Sequence, residues 1–235
     1  MKIHIIQHES FESPGAIATW AQNRRHTVTY SRIYQQEALP ENSAQFDFLI
    51  VMGGPQSPVT TLQECPYFNA QAEIELIRST IKADKYLLGV CLGAQLVGEA
   101  FGCSFAHSPN KEIGAFPIHL TAEAAQDSIF VQFPKTFTVG HWHGDMPGIS
   151  SQTAVLAYSE GCPRQIVRYS PKAYGFQCHM EFTQEAIVEM IKHSQKELTE
   201  CAGLPYVQSV QQLKAHHYQE MNAWLFQFLD AFVSS

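Results

Sequence analysis

The stretch from Tyr86 to Gly102, YLLGVCLGAQLVGEAFG, permits few backbone arrangements, because an apolar strand gives way abruptly to a helix with a thiol at the junction. Tyr86, Leu87, Leu88 and Val90 make a short apolar run of the kind shown by a buried parallel strand. Leu92, Gln95, Leu96 and Glu99 continue at helical spacing. Gly89 and Gly93 stand two residues either side of Cys91, where a sharp strand-to-helix turn leaves no room for a Cβ. This is the nucleophile-elbow pattern with sulfur in place of oxygen. Free amides at a helix N-terminus favour negative charge and draw a cysteine pKa below its usual ~8.5, which makes Cys91 a candidate nucleophile. The other reading of the same residues is a buried, inert cysteine that closes a strand.

The rest of the chain bounds what such a thiol can serve. With 235 residues, 45% hydrophobic and 16% charged, one substantial core is expected, organised as a single domain over 1–235 with a helical extension from about 205. A net charge of −7, without any cluster of lysine or arginine, offers no footprint for nucleic acid or an anionic membrane, so small-molecule or protein partners are expected. Cys65, Cys91, Cys103, Cys162, Cys178 and Cys201 form no C-x-x-C pair and no metal-ligand spacing. The N-terminus reads as a strand instead of a signal peptide, and no apolar run nears the ~20 residues that span a bilayer. Reduced thiols and these absences read as a cytoplasmic protein.

Taken in order, Lys2 to Gln7 reads as a first strand ending in His8-Glu9-Ser10, followed by a helix from Pro14 and Gly15 to about Arg25 and a second strand from His26 to Ser31. Tyr34 to Ala44 reads as loop. Phe46 to Met52 is a continuous apolar run, the mark of a strand covered on both faces. It runs into Gly53-Gly54-Pro55, which either presents bare amides to a ligand at the carboxyl edge of a sheet or simply makes a tight turn. Tyr67, Ala70, Ile74, Ile77 and Ile81 step by three and four and predict an amphipathic helix. Ser104 to Thr121 reads as short strands and turns, and Phe137 to Asp145, Gln152 to Tyr158 and Gln165 to Tyr169 as further strands with antiparallel character.

In Ala173 to Phe182, period two places His179 and Glu181 on one face of a strand. The carboxylate can then fix one ring nitrogen while the other faces a nucleophile, or the pair is only the polar face of a half-exposed strand. Cys178 points the other way and reads as packing. Thr183 caps a helix predicted to run to about Leu198, and Leu213, His217, Met221, Leu225, Phe228 and Phe232 keep a final helical face. His141 and His143, in H-W-H, share a strand face that could suggest a metal. With no third ligand nearby in sequence, they read as hydrogen-bonded histidines lining a pocket mouth.

The segments QHES…PG, MGGPQSP, GVCLGAQ, KEIG, HWHGD and GFQCHMEF, spread over most of the chain, resemble the class I, triad-type glutamine amidotransferases. The likeness is greatest to stand-alone proteins similar to the amidotransferase domain of GMP synthase. The resemblance implies a triad of Cys91, His179 and Glu181. It also implies an oxyanion hole from the backbone of Gly54 and Leu92, and contacts to substrate from Gly53, Gln95, Trp142, His143 and Gly144. It implies glutamine hydrolysis through a cysteinyl thioester, with no metal or organic cofactor. About fifty residues follow Phe182, too few for an ATP-binding synthetase domain, so ammonia would pass to a separate acceptor enzyme. A γ-glutamyl peptidase or hydrolase using the same residues, and a non-catalytic binding protein retaining the fold, are the alternatives. The element order predicts an α/β architecture with a mostly parallel central sheet, helices on both faces and a small antiparallel ribbon region. The resemblance implies the flavodoxin-like amidotransferase fold, with the site at the carboxyl ends of the parallel strands.

Overall fold

Two apolar strands with no exposed residue lie at the centre of the protein. These are β3 (Phe48–Val51) and β4 (Tyr86–Val90), and a computed structural model describing residues 1–234 pairs them in parallel, Phe48 opposite Tyr86. β1 (Lys2–Gln7) and β2 (Thr27–Arg32) extend the parallel half on one side. On the other, β9 (Ala173–Phe176) pairs in parallel with β4, and from there the sheet turns antiparallel through β8 (Ile166–Ser170), β7 (Ala154–Tyr158), β5 (Ala106–Leu120) and β6 (Thr136–Met146). The order across this nine-stranded sheet is β2-β1-β3-β4-β9-β8-β7-β5-β6. The mixed α/β architecture expected from the element order is present.

Period two divides the parallel strands between two layers. Ile3, Ile5, Phe48, Ile50, Leu88 and Val90 face α1 (Gly15–Asn23) and α7 (Gln219–Phe232), while Ile6, Leu49, Val51 and Leu87 face α2 (Ala70–Lys82) and α3 (Leu92–Ala100). Local capping fits these helices: Asn69 accepts from the Ala72 amide to start α2, and Thr183 accepts from Ala186 to start α4 (Gln184–His193). Phe228 and Phe232 of α7 are fully buried, and Phe228 packs 4.6 Å from Phe176 between ring centroids. Burial of each such ring contributes roughly 2–3 kcal/mol.

Several expected boundaries shift. Ser104 to Thr121 is mostly one long strand, β5, bulged between His107 and Glu112 and paired along most of its length with β6. The strand expected over Ala173 to Phe182 ends at Phe176. Its parallel partner β4 turns away at the elbow, where the Cys91 amide makes a last bond to the Phe176 carbonyl at 2.7 Å, so no ladder continues beside residues 177–182 on that side. The helix expected to Leu198 breaks at Ser194 into α4 and α5 (Gln195–Glu200). The final stripe is likewise split, between α6 (Val210–Ala215) and α7, leaving His217 exposed while Tyr218 is buried and donates to the Leu213 carbonyl. Among the described residues no helix is long and apolar enough to cross a membrane.

Candidate active site

Cys91 follows β4 and caps α3 with φ at +52° and ψ at −111°, a region that L-residues avoid at a cost of about 1–3 kcal/mol. The flanking glycines make this turn possible. A Cβ on Gly89 would lie 2.3 Å from the Gly93 carbonyl oxygen, and one on Gly93 would lie 1.9 Å from that of Val51. Leu92 opens α3, so its amide belongs to the first turn, whose N–H groups have no acceptor within the helix.

His179 is held from several directions. Its backbone exchanges two 2.7 Å hydrogen bonds with Gly140 of β6, and Phe182 stacks on its ring with centroids 4.2 Å apart. Its Nδ1 lies 2.6 Å from Glu181 Oε1, while Nε2 has no hydrogen-bond partner of ordinary length. The H-x-E pair is therefore joined as expected, but by a pinned irregular segment and not by a strand face.

A point one Cβ from Gly53 would be 3.3 Å from Cys91 Cβ and 3.5 Å from His179 Cε1, so both side chains flank the same spot. Burial opposes a charge on His179. The Glu181 carboxylate and the nearby Cys91 sulfur nevertheless raise its pKa to about 10, favouring the imidazolium at neutral pH.

A cleft of about 650 Å³ opens over this junction, lined by Gly54, Cys91, Gln95, Trp142, His143 and Gly144 among others. Gly53, His179 and Glu181 lie behind it in a tight space. The Trp142 carbonyl stands 3.8 Å from Cys91 Sγ, and the indole N–H donates to Glu197, which also pairs with Lys111. Gln95 donates to Gln177, whose own amide nitrogen reaches Cys91 Sγ at 3.4 Å. A second groove of similar volume lies among α4, α5 and α6, but among the described residues lining it only Lys214 is titratable. The chemistry is concentrated in the first.

The H-W-H histidines divide. His143 reaches the cleft, whereas His141 is fully buried and does not line its mouth, because its ring lies against Phe116, whose carbonyl faces its Nε2. Glu112 is the carboxylate that strand pairing brings to them from β5, with no signal in sequence distance.

The family model for class I glutamine amidotransferases matches residues 15–196, which include the elbow, the Trp142–Gly144 segment, His179 and Glu181. The chain belongs to the class I glutamine amidotransferase family. It is 52% identical over 230 residues to the glutamine amidotransferase-like protein YfeJ of Salmonella typhimurium, covering 98% of this chain and 96% of that one. It is 28% identical over 153 residues to one of the subunits of the glutamine-hydrolysing GMP synthase of Methanococcus vannielii, covering 64% and 72%. The solved structure of SMU.1228c superimposes with a TM-score of 0.97 at 47% identity, covering 99% and 100%.

Several residues of this candidate site escaped sequence reasoning. Glu12 shares the tight space with His179, where burial pushes its carboxyl up to about 7 against the charges of His179 and His8. Gln177 appeared in the alternating run, but nothing there indicated its contact with sulfur. Asn222 of α7 donates to the carbonyls of Met180 at 2.8 Å and Phe182 at 2.9 Å, bracing the segment that carries His179 and Glu181. The QHES segment supports the glycine loop: His8 bonds the Gly53 carbonyl, and Glu9 accepts from Gln56 and Tyr67.

Proposed function

We propose that this amidotransferase hydrolyses the side-chain amide of glutamine through a γ-glutamyl thioester on Cys91, releasing glutamate and ammonia to a separate acceptor enzyme. The observation that carries this reading is the His179 imidazole, tied to Glu181 at 2.6 Å with its other nitrogen unpartnered and the strained Cys91 elbow beside it. The Cys91 thiolate attacks the amide carbon, and the oxyanion accepts from the amides of Leu92 and Gly54. His179 gives its Nε2 proton to the departing nitrogen as the carbon–nitrogen bond breaks. Water then attacks the thioester, passing its proton to His179, and the carbon–sulfur bond breaks to restore the thiolate and imidazolium. Glu181 orients the ring throughout. Gly53, Gln95 and the backbone of Trp142, His143 and Gly144 hold the amino-acid end.

The size of the cleft favours a second reading of the same chemistry. At about 650 Å³ it lies in the range that holds drug-sized ligands, more than one amino acid needs, so a γ-glutamyl amide or peptide would fit with its amine leaving in place of ammonia.

Glutamate release from glutamine and from γ-glutamyl dipeptides separates the two, with intact-mass detection of a glutamine-analogue electrophile on Cys91 alongside. Glutamine hydrolysis with an adduct at Cys91 is expected. Preferential dipeptide cleavage would favour the second reading. No adduct and no turnover, with or without a partner synthetase, would overturn both and point to a binding protein that keeps the fold.

A further inference from the structure

Three buried acceptor atoms outside the Cys91–His179–Glu181 set converge beside the cleft: Glu112 Oε2, His141 Nδ1 and His143 Nε2. Glu112 comes from β5, and the histidines are two residues apart on the facing strand β6. His141 is 0% exposed, Glu112 1% and His143 5%. His143 Nε2 is 3.3 Å and His141 Nδ1 3.6 Å from the same Glu112 oxygen, and all three donor atoms lie within 4.8 Å of one another.

The far side of each ring determines what faces the middle. His143 Nδ1 contacts the Asp145 carbonyl at 3.1 Å, and His141 Nε2 contacts the Phe116 carbonyl at 3.4 Å. A carbonyl only accepts, so each of those outer nitrogens carries a proton, and the inner nitrogen facing the carboxylate is the one each ring can offer to a cation. His141 Nδ1 has no hydrogen-bond partner. Backbone carbonyls holding the outer N–H of two imidazoles, whose inner nitrogens meet a carboxylate, form the arrangement that orients histidine ligands around a metal.

We infer that Glu112, His141 and His143 form a site for one divalent transition-metal ion of the zinc class. Bonds of about 2.0–2.1 Å to nitrogen and oxygen put tetrahedral ligands roughly 3.3 Å apart, close to the two spacings from Glu112 to the histidines. Buried imidazole and carboxylate suit zinc, nickel or copper better than calcium or magnesium. Gln165 stands where a fourth ligand belongs: its Nε2 is 2.6 Å from Glu112 Oε2 and 3.2 Å from His143 Nε2, and its Oε1 is unpartnered. Turning that amide over presents the oxygen instead. Ser159 donates to both Glu112 oxygens, and a Cβ on Gly161 would lie 2.6 Å from Oε1, so the carboxylate is fixed in place. His141 and His143 flank Trp142, whose carbonyl faces Cys91, so the ion fastens the strand that borders the substrate cleft.

Zinc uptake by the full chain, freed of metal by chelator dialysis, tests this with readouts independent of glutamine hydrolysis. Cys91 and His179 can also bind zinc, so the Cys91→Ala variant is titrated in parallel. One equivalent should bind in both proteins, raise the thermal midpoint, and weaken at least about 100-fold in Glu112→Gln. Cobalt in the Cys91→Ala variant should give tetrahedral visible bands without thiolate charge transfer. If Glu112→Gln does not fold, His141→Gln serves in its place. Absence of stoichiometric uptake at micromolar zinc, or uptake lost in Cys91→Ala and intact in Glu112→Gln, would overturn the proposal.

Discussion

Nε2 of His8 lies 2.9 Å from Oε2 of Glu73, with both side chains out of solvent, while Nδ1 of the same ring lies 3.0 Å from the Gly53 carbonyl. Carboxylate and carbonyl both accept, so both ring nitrogens donate and His8 is an imidazolium. It ties α2 to the glycine loop, of which Gly54 lines the cleft.

Burial opposes that charge, but the Glu73 carboxylate and the hydrogen bonds to Glu73 and Gly53 raise the His8 pKa above its ordinary 6.5. A raised histidine contributes stability that is complete below the unfolded value and is lost as pH climbs through the folded one. Glu73→Gln should therefore cost about 3 kcal/mol near pH 6, with the gap to wild type shrinking toward alkaline pH. Urea unfolding at several pH values checks this, and a gap constant with pH would show that the pair does not titrate.

The backbone of Cys91 makes its own prediction. Cys91→Ala and Cys91→Gly should each lower glutamine hydrolysis by about 10⁴-fold or more. Only glycine relieves the positive φ, so Cys91→Gly should be the more stable of the two by about 1 kcal/mol. Thermal unfolding of both decides it, and a more stable alanine variant would mean the turn carries no strain.

Glu181, together with the Cys91 sulfur, holds the His179 pKa near 10 despite burial. In Glu181→Gln the alkaline limb of kcat/KM should move down toward the ordinary histidine value of about 6.5, with a loss of about 10²–10⁴-fold near neutrality. A pH–rate profile of both proteins reads the shift directly. An unmoved limb would assign it to another group.

Asn222→Leu removes two donors from the Met180 and Phe182 carbonyls. A stability loss of about 2 kcal/mol is expected, with kcat lowered roughly tenfold to a hundredfold and KM little changed, since the effect is on aim and not on substrate contact. Lost stability with intact kcat would leave Asn222 a structural brace alone.

What the sequence by itself determined about this protein is local and steric. The apolar runs at Phe48–Val51 and Tyr86–Val90 are too uniform for an exposed face, and Gly89 and Gly93 mark a turn that no Cβ could enter. The Thr183 cap was legible for the same reason, since partners three residues apart meet through chain geometry, and the nearness of His179 and Glu181 in sequence marked them as a pair even though a strand pleat does not join them.

Tertiary structure decided everything that depends on which strand lies beside which. β9 stops at Phe176 because β4 turns away, so His179 is aimed by Gly140, Phe182 and Glu181 instead of a strand pleat. Glu112 meets His141 and His143 only through the β5–β6 register, and Asn222 reaches Met180 and Phe182 only once α7 is docked. A hydrogen bond is specified by position within a few tenths of an ångström. For residues tens of positions apart, that precision comes from packing, which no periodicity in the chain records.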